Sequence, residues 1–415
     1  MKGNFVVLFF VFLALFFICP TLNAQKVRTG LEMLREQNFS ALKGKKVGLI
    51  TNPTGVDRNL NSTIDIFFNT KVFKLAALFG PEHGVRGDYA AGDYVSNFTD
   101  KNTGLPVFSI YGKTRKPTKE MLQGIDVLVY DIQDIGSRSY TYISTLGLAM
   151  EAAAENNIEF VVLDRPNPLG GLKMEGLITE PGFVSFVSQF PIPYLHGLTV
   201  GELALYLNQE GLLSGGQKCN LKVIPMKGWK RKMFFEETGL PWVPTSPHIP
   251  HLYSAIFYPI SGILGELYIF SIGVGYTLPF QLFAAEWIDA DALTHNMNSL
   301  KLPGLLFRPV HFTPYYSVSK GTIVHGVQVH VTDYRKANLT LVQFYVLQEC
   351  HKLWPEKNVF DLCDKSRLNM FDKVCGSDKI RIEFTKTFQV SSVEKLWMQE
   401  IEPYRARASK YFIYR

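Results

Sequence analysis

Between positions 46 and 164 the chain alternates short apolar runs with mixed, polar-flanked stretches. Residues 46–51, 72–79, 126–131 and 159–164 are β-rich runs without clean polar and apolar alternation. That pattern belongs to strands buried on both faces, as in a parallel sheet covered by helices. The intervening segments predict helices over 63–69, 118–123 and 144–156, the last containing the Ala-rich run Met150-Glu-Ala-Ala-Ala-Glu. Strand and helix in alternation imply right-handed crossovers, and so an α/β, Rossmann-like and mostly parallel sheet.

Such a sheet gathers the carboxyl ends of its strands along one edge, where ligands bind. Polar residues stand at all four ends: Thr51 and Asn52; Glu82, His83, Arg86 and Asp88; Asp131, Gln133, Asp134 and Arg138; Asp164, Arg165 and Asn167. The second end is the sharpest, because the apolar run stops at Gly80-Pro81 and the charged residues follow at once among glycines. Glycine and proline there let the backbone leave the sheet abruptly and let a ligand approach it.

Beyond Gly170-Gly171 the pattern weakens into loops until about Pro193. Thr199 and Glu202 then have the spacing of a capping box at the start of a helix, with His196 just ahead of it. Four prolines between positions 241 and 250 exclude regular helix or central strand and act as a connector, placing a domain boundary at 245/246. The first domain is expected over 25–245 and a smaller α+β domain over 246–415. In the latter, residues 322–331 alternate as a strand should, most cleanly from Val327 onward, and the tail from Ile380 reads as mixed helix and loop.

A length of 415 residues suits two domains, and 47% hydrophobic with 13% aromatic residues describes a folded globular chain. The net charge of +6 is too mild and too scattered to argue for nucleic acid. The N-terminus reads as an export signal over 1–24: Lys2, an apolar run from Phe5 to Phe17, and Leu22-Asn23-Ala24 before cleavage. The mature protein is thus expected to be periplasmic or extracellular, without a stable membrane span. Cys19 follows bulky Ile18, which disfavours a lipid-modified cysteine. Cys219, Cys350, Cys363 and Cys375 form no CxxC pair; they suit small buried hydrophobes, with one disulfide among the last three as the alternative.

No GxGxxG follows the first strand, and no P-loop, GxSxG elbow or HExxH helix is present. Dinucleotide, kinase and common peptidase chemistry drop out, and no cofactor is expected. A glycoside hydrolase remains, needing a protonated carboxyl at the leaving oxygen and a second group as base, nucleophile or ion stabiliser. Glu82 is the candidate acid, with Asp131, Asp134 or Asp164 as partner. The alternatives are a metal-dependent hydrolase using His83 with Asp131, Asp134 or Asp164, and a non-catalytic sugar-binding protein.

Six ordered motifs sharpen this reading: Val47-Gly-Leu-Ile-Thr-Asn-Pro-Thr-Gly-Val-Asp57, Phe79-Gly-Pro-Glu-His-Gly-Val-Arg-Gly87, Tyr111-Gly-Lys-Thr-Arg-Lys-Pro-Thr118, Asp131-Ile-Gln-Asp-Ile-Gly-Ser-Arg138, Leu163-Asp-Arg-Pro-Asn-Pro-Leu-Gly-Gly171 and His196-Gly-Leu-Thr-Val-Gly-Glu-Leu203. Together they resemble the exo-β-N-acetylmuramidase family. The resemblance implies removal of terminal N-acetylmuramic acid from the non-reducing end of peptidoglycan fragments, in a cleft between a Rossmann-like domain and a smaller C-terminal one. It implies Glu82 as the catalytic glutamate and Tyr276 as a partner from the second domain; His83, beside that glutamate in the glycine turn, reads as a positioning residue. The chain departs from the family pattern at Gly265-Glu266-Leu267 and Gly273-Val274-Gly275-Tyr276-Thr277, where many members carry Glu-Gly-Thr and Gly-Arg-Gly-Thr. With that arginine missing, Arg86, Arg138 or Arg165 is expected to hold the lactyl carboxylate of the sugar. Asn52, His83, Gln133, Asp134, Asp164, Asn167 and His196 complete the expected substrate contacts.

Overall fold

The structure, a computed structural model, describes residues 27–87 and 97–415. The expected leader, Cys19 and Asp88 lie outside the described residues. The first sheet has seven strands: β1 (Lys46–Thr51), β2 (Lys74–Gly80), β3 (Phe98–Thr99), β4 (Pro106–Ser109), β5 (Val127–Asp131), β6 (Glu159–Leu163) and β7 (Leu221–Ile224). Their order is β3-β4-β2-β1-β5-β6-β7. Neighbours run parallel except β3, a two-residue edge strand antiparallel to β4. Without β3 this is the doubly wound Rossmann order, reversing between β1 and β5.

The unbroken apolar runs follow from burial on two sides, since successive residues of a strand point to opposite faces. Val127 and Val129 of β5 pack with Leu31 and Leu34 of α1 (Gly30–Glu36) and Ile64 and Phe67 of α2 (Thr63–Asn69). Leu128 and Tyr130 face the other way, onto Leu146 and Met150 of α3 (Tyr142–Glu155) and Leu203 and Leu207 of α4 (Val200–Gln209). The capping box that opens α4 is formed in both halves, Glu202 N–H donating to Thr199 Oγ1 and Thr199 N–H to Glu202. The helix expected over 118–123 is a run of turns instead. That stretch is too short to nucleate alone, and it offers the core only Leu122 and the partly buried Met121.

The second part contains α5 (Leu252–Gly265), β8 (Leu282–Ala285), α6 (Ala290–Ser299), β9 (Leu305–Phe312), β10 (Val324–Val331) and α7 (Val342–Leu353). The strands form an antiparallel sheet in the order β8-β10-β9. Helices α8 (Val359–Leu362), α9 (Lys365–Cys375), α10 (Lys379–Thr387), α11 (Glu394–Met398) and α12 (Ile401–Ala408) complete it. The chain then returns to the first sheet: Ile401, Tyr404 and Ala408 join its core, and the Tyr414 hydroxyl donates to Asp164.

Helix α5 holds Pro259 in its interior, which removes a backbone donor and disfavours helix in isolation. Burial outweighs that cost: Ala255, Ile260, Ile263 and Leu264 are fully buried, and Gln343 donates to the Pro259 carbonyl while accepting from Leu264 N–H. Gly265 allows a close approach here, because a Cβ on it would stand 2.4 Å from Ile272 Cδ1.

None of the four described cysteines is bonded; Cys219, Cys350 and Cys375 are buried and Cys363 is partly exposed. Among the described residues no helix is long and apolar enough to cross a membrane.

Candidate active site

A cleft of about 610 Å³ opens between the carboxyl edge of the first sheet and the second domain. Its first wall comes from the ends of β2 and β4 and the start of α3: Glu82, His83, Tyr111, Arg115 and Ser139 to Tyr142. Opposite stand His248, Tyr258 and Glu266 on and around α5, with Tyr316 and Lys373.

Glu82 is oriented by two hydroxyls. Thr141, the residue that starts α3, makes no cap to its own helix and donates its Oγ1–H to Glu82 Oε2 at 2.7 Å. The Tyr111 hydroxyl also bonds Glu82, and burial together with this carboxylate pushes the phenol well above its usual range. Tyr111 therefore stays a neutral donor. The turn after β2 carries His83 with φ +71° and Gly84 with φ +74°. A left-handed histidine costs roughly 1–2 kcal/mol, and this conformation places a buried imidazole in the wall. His248 faces the same group of residues and stacks on Tyr316. Burial and nearby His83 push its imidazole below the ordinary histidine range, with Glu82 opposing them.

A second carboxyl faces the cleft. Glu266 follows the last turn of α5, and burial pushes it up to about 7, against which Arg367 acts weakly. Among the described residues no hydrogen bond or ion pair engages its carboxylate, and part of its surface stays open to the cleft. Tyr258 lies in the field of both Glu82 and Glu266, which burial and these carboxylates combine to hold neutral.

The remaining expected site residues lie elsewhere. Asp131 is fully buried and accepts from Arg165 at 2.6 and 3.0 Å and from Thr63 Oγ1. Asp164 accepts from Thr199, Gly201 N–H and Tyr414, and burial pushes it up to about 7. Asp134 caps Gly136 N–H, with His196 Nε2 3.6 Å away; His196 Nδ1 accepts from Leu198 N–H. Gln133 donates to the Asp134 and Pro166 carbonyls, and Asn167 to that of Leu198. Asn52 caps its own turn through Thr54 N–H. Arg86 forms a two-pronged pair with Asp100 at 3.1 Å. Arg138, fully buried, donates to the carbonyls of Leu177, Ile192 and, in α9, Val374, joining the two domains. Tyr276 packs its ring 4.5 Å from Phe312 on the small sheet. Of the expected set, Glu82 and His83 line the cleft; the others hold loops and domains in place. Among the described residues no three His, Cys, Asp or Glu side chains are grouped to hold a metal ion, so His83, Asp131, Asp134 and Asp164 form no common ligand set.

Periodicity missed Tyr111, Arg115, His248, Tyr258 and Glu266. The first two lie inside one of the six ordered motifs, which was the available signal. Strand β4 escaped because it has four residues and opens on Pro106.

Fold and site together define a class: a two-domain α/β protein with carboxyl groups in a tyrosine-walled interdomain cleft, an arrangement that suits a glycoside hydrolase. Residues 47–253 match the N-terminal domain and residues 256–414 the C-terminal domain of Exo-beta-N-acetylmuramidase NamZ. The chain belongs to this family. It is 45% identical over 394 residues to the peptidoglycan beta-N-acetylmuramidase NamZ of Bacillus subtilis (strain 168), covering 95% of this chain and 93% of the relative. Two crystal structures of DUF1343 family proteins from Bacteroides fragilis NCTC 9343 share the fold. One is 59% identical with a TM-score of 0.91, the other 27% identical with a TM-score of 0.76; each comparison covers 94% of this chain and 99% of the other.

Proposed function

We propose that this protein is a peptidoglycan muramidase that works from the non-reducing end, releasing terminal N-acetylmuramic acid, with Glu82 as general acid. The observation that carries this is the placement of Glu82. It stands at the end of β2, fixed by Thr141 and Tyr111, in the interdomain cleft of a chain that shares 45% identity with a peptidoglycan beta-N-acetylmuramidase. Thr141 and Tyr111 orient the carboxyl that would carry the proton to the glycosidic oxygen. An exported mature chain, the expectation from its N-terminal sequence, would meet such a substrate. Incubating linear glycan strands with the protein is expected to release the monosaccharide alone, measured by chromatography. Internal fragments as first products would overturn the exo reading.

Glu266 supplies the second carboxyl that glycoside hydrolysis needs, as base toward water or as nucleophile. Either role requires the ionised form. Burial holds its pKa up to about 7, so kcat/KM is expected to rise with pH through about 7 and to be lost as pH falls below it. Glu266→Ala is expected to lower kcat roughly 10²-fold, with added azide, entering the space left, restoring part of the turnover. Wild-type kcat in this variant would remove Glu266 from the chemistry.

A further inference from the structure

We propose that Arg115 reads the lactyl carboxylate of the muramic acid unit, and so selects this sugar from neutral hexosamines. The inference rests on the muramidase reading above. The three arginines expected for the task are engaged elsewhere: Arg86 by Asp100, Arg165 by Asp131, and Arg138 by buried carbonyls. Among the described residues the cleft retains two cations, Arg115 and Lys373, and neither has a carboxylate within 4 Å. Lys116, next in the chain to Arg115, turns away to Glu155 at 2.7 Å.

Arg115 is held as a reader of anions should be. Its guanidinium centre lies 4.5 Å from the ring centroid of Phe186, which is itself buried, and whose carbonyl accepts from Ser144 Oγ at 2.7 Å near the start of α3. Stacking on an aromatic face fixes the plane of the guanidinium while leaving its N–H edge available for a carboxylate. The position also suits the sugar. Tyr111 bonds Glu82, lies in the field of Arg115, and has its ring 5.9 Å from that of Phe186. Glu82, Tyr111 and Arg115 thus form one continuous wall. The lactyl ether sits two ring carbons from the anomeric centre, so a cation beside the catalytic carboxyl, one aromatic ring away, meets it when Glu82 meets the glycosidic oxygen. Lys373 adds positive charge from α9 without the planar fork.

The test compares binding of N-acetylmuramic acid with that of its neutral lactyl amide, by calorimetric titration of wild type, Arg115→Met and Arg115→Lys. The wild type is expected to prefer the acid by roughly ten- to hundredfold, as for a charge-assisted pair. Arg115→Met is expected to bring that ratio to about one, and Arg115→Lys to an intermediate value, because a point charge replaces the fork. A ratio unchanged in Arg115→Met, or no preference in the wild type, overturns the assignment. Hydrolysis of an aryl N-acetylmuramide by the wild type is the separate check: its absence removes the muramidase reading itself, whereas hydrolysis with an unchanged ratio removes only the role of Arg115.

Discussion

Replacing Glu82 by glutamine is expected to lower kcat on an aryl N-acetylmuramide by roughly 10²–10⁴-fold, the usual contribution of a positioned general acid. The amide matches the carboxyl in shape and its carbonyl oxygen still accepts from Thr141, so the turn after β2 keeps its anchor. It has no proton to give the leaving oxygen. Thermal denaturation of this variant should therefore stay close to that of the wild type while turnover falls. The loss should shrink on substrates with an acidic phenol as leaving group, since these depart without protonation. Near-normal turnover on a poor leaving group would withdraw Glu82 from the acid role.

Asp131→Ala is expected to behave in the opposite sense, costing about 3–5 kcal/mol of stability, as when one member of a buried ion pair is removed. Asp131 has no exposed surface, and Arg165 donates to both its oxygens while giving one further bond to the Val56 carbonyl. Removing the carboxylate leaves a guanidinium buried beside an empty space at the meeting of β1 and β5. Thr63 Oγ1 loses its acceptor as well. Urea denaturation should show the loss, and the double change Asp131→Ala with Arg165→Met should recover part of it by removing the stranded charge. A variant of normal stability but greatly reduced kcat would return Asp131 to the chemistry.

The contrast between these carboxylates explains what could be read along the chain. Polar residues at the carboxyl ends of parallel strands have two fates that composition does not separate. At the ends of β1, β5 and β6, Asp131 pairs with Arg165, while Asn52, Asp164 and Asn167 bond nearby backbone groups and hydroxyls, as the interior demands of buried polar groups. At the ends of β2 and β4, Glu82 and Tyr111 meet the gap between domains. Strand ends point to the edge of the sheet where the cleft opens, but a charge next to a glycine turn looks the same whether it binds a loop or a ligand.

The second domain was harder to read for a different reason. Helix α5 carries Pro259, Gly262 and Gly265, each unfavourable for helix by local propensity. Long-range burial overrides that preference, and the same small residues leave room for the cleft that Tyr258 and Glu266 line. Tyr276 stood in a glycine-rich stretch suited to a site, yet its ring packs on Phe312 in the apolar cluster of the small sheet.

By itself the sequence determined the Rossmann-like sheet, its four central strands, the capped start of α4 and the glycine-proline break that ends β2 just before Glu82. These rest on local chemistry: runs buried on both faces, a capping box, and a glycine-proline break. Tertiary structure alone decided which polar groups face each other and which face the cleft, how Arg138 joins the domains, and that Glu266 and Arg115 stand near Glu82. Those outcomes depend on contacts between residues far apart in the chain, and no local pattern encodes which buried charge meets its partner.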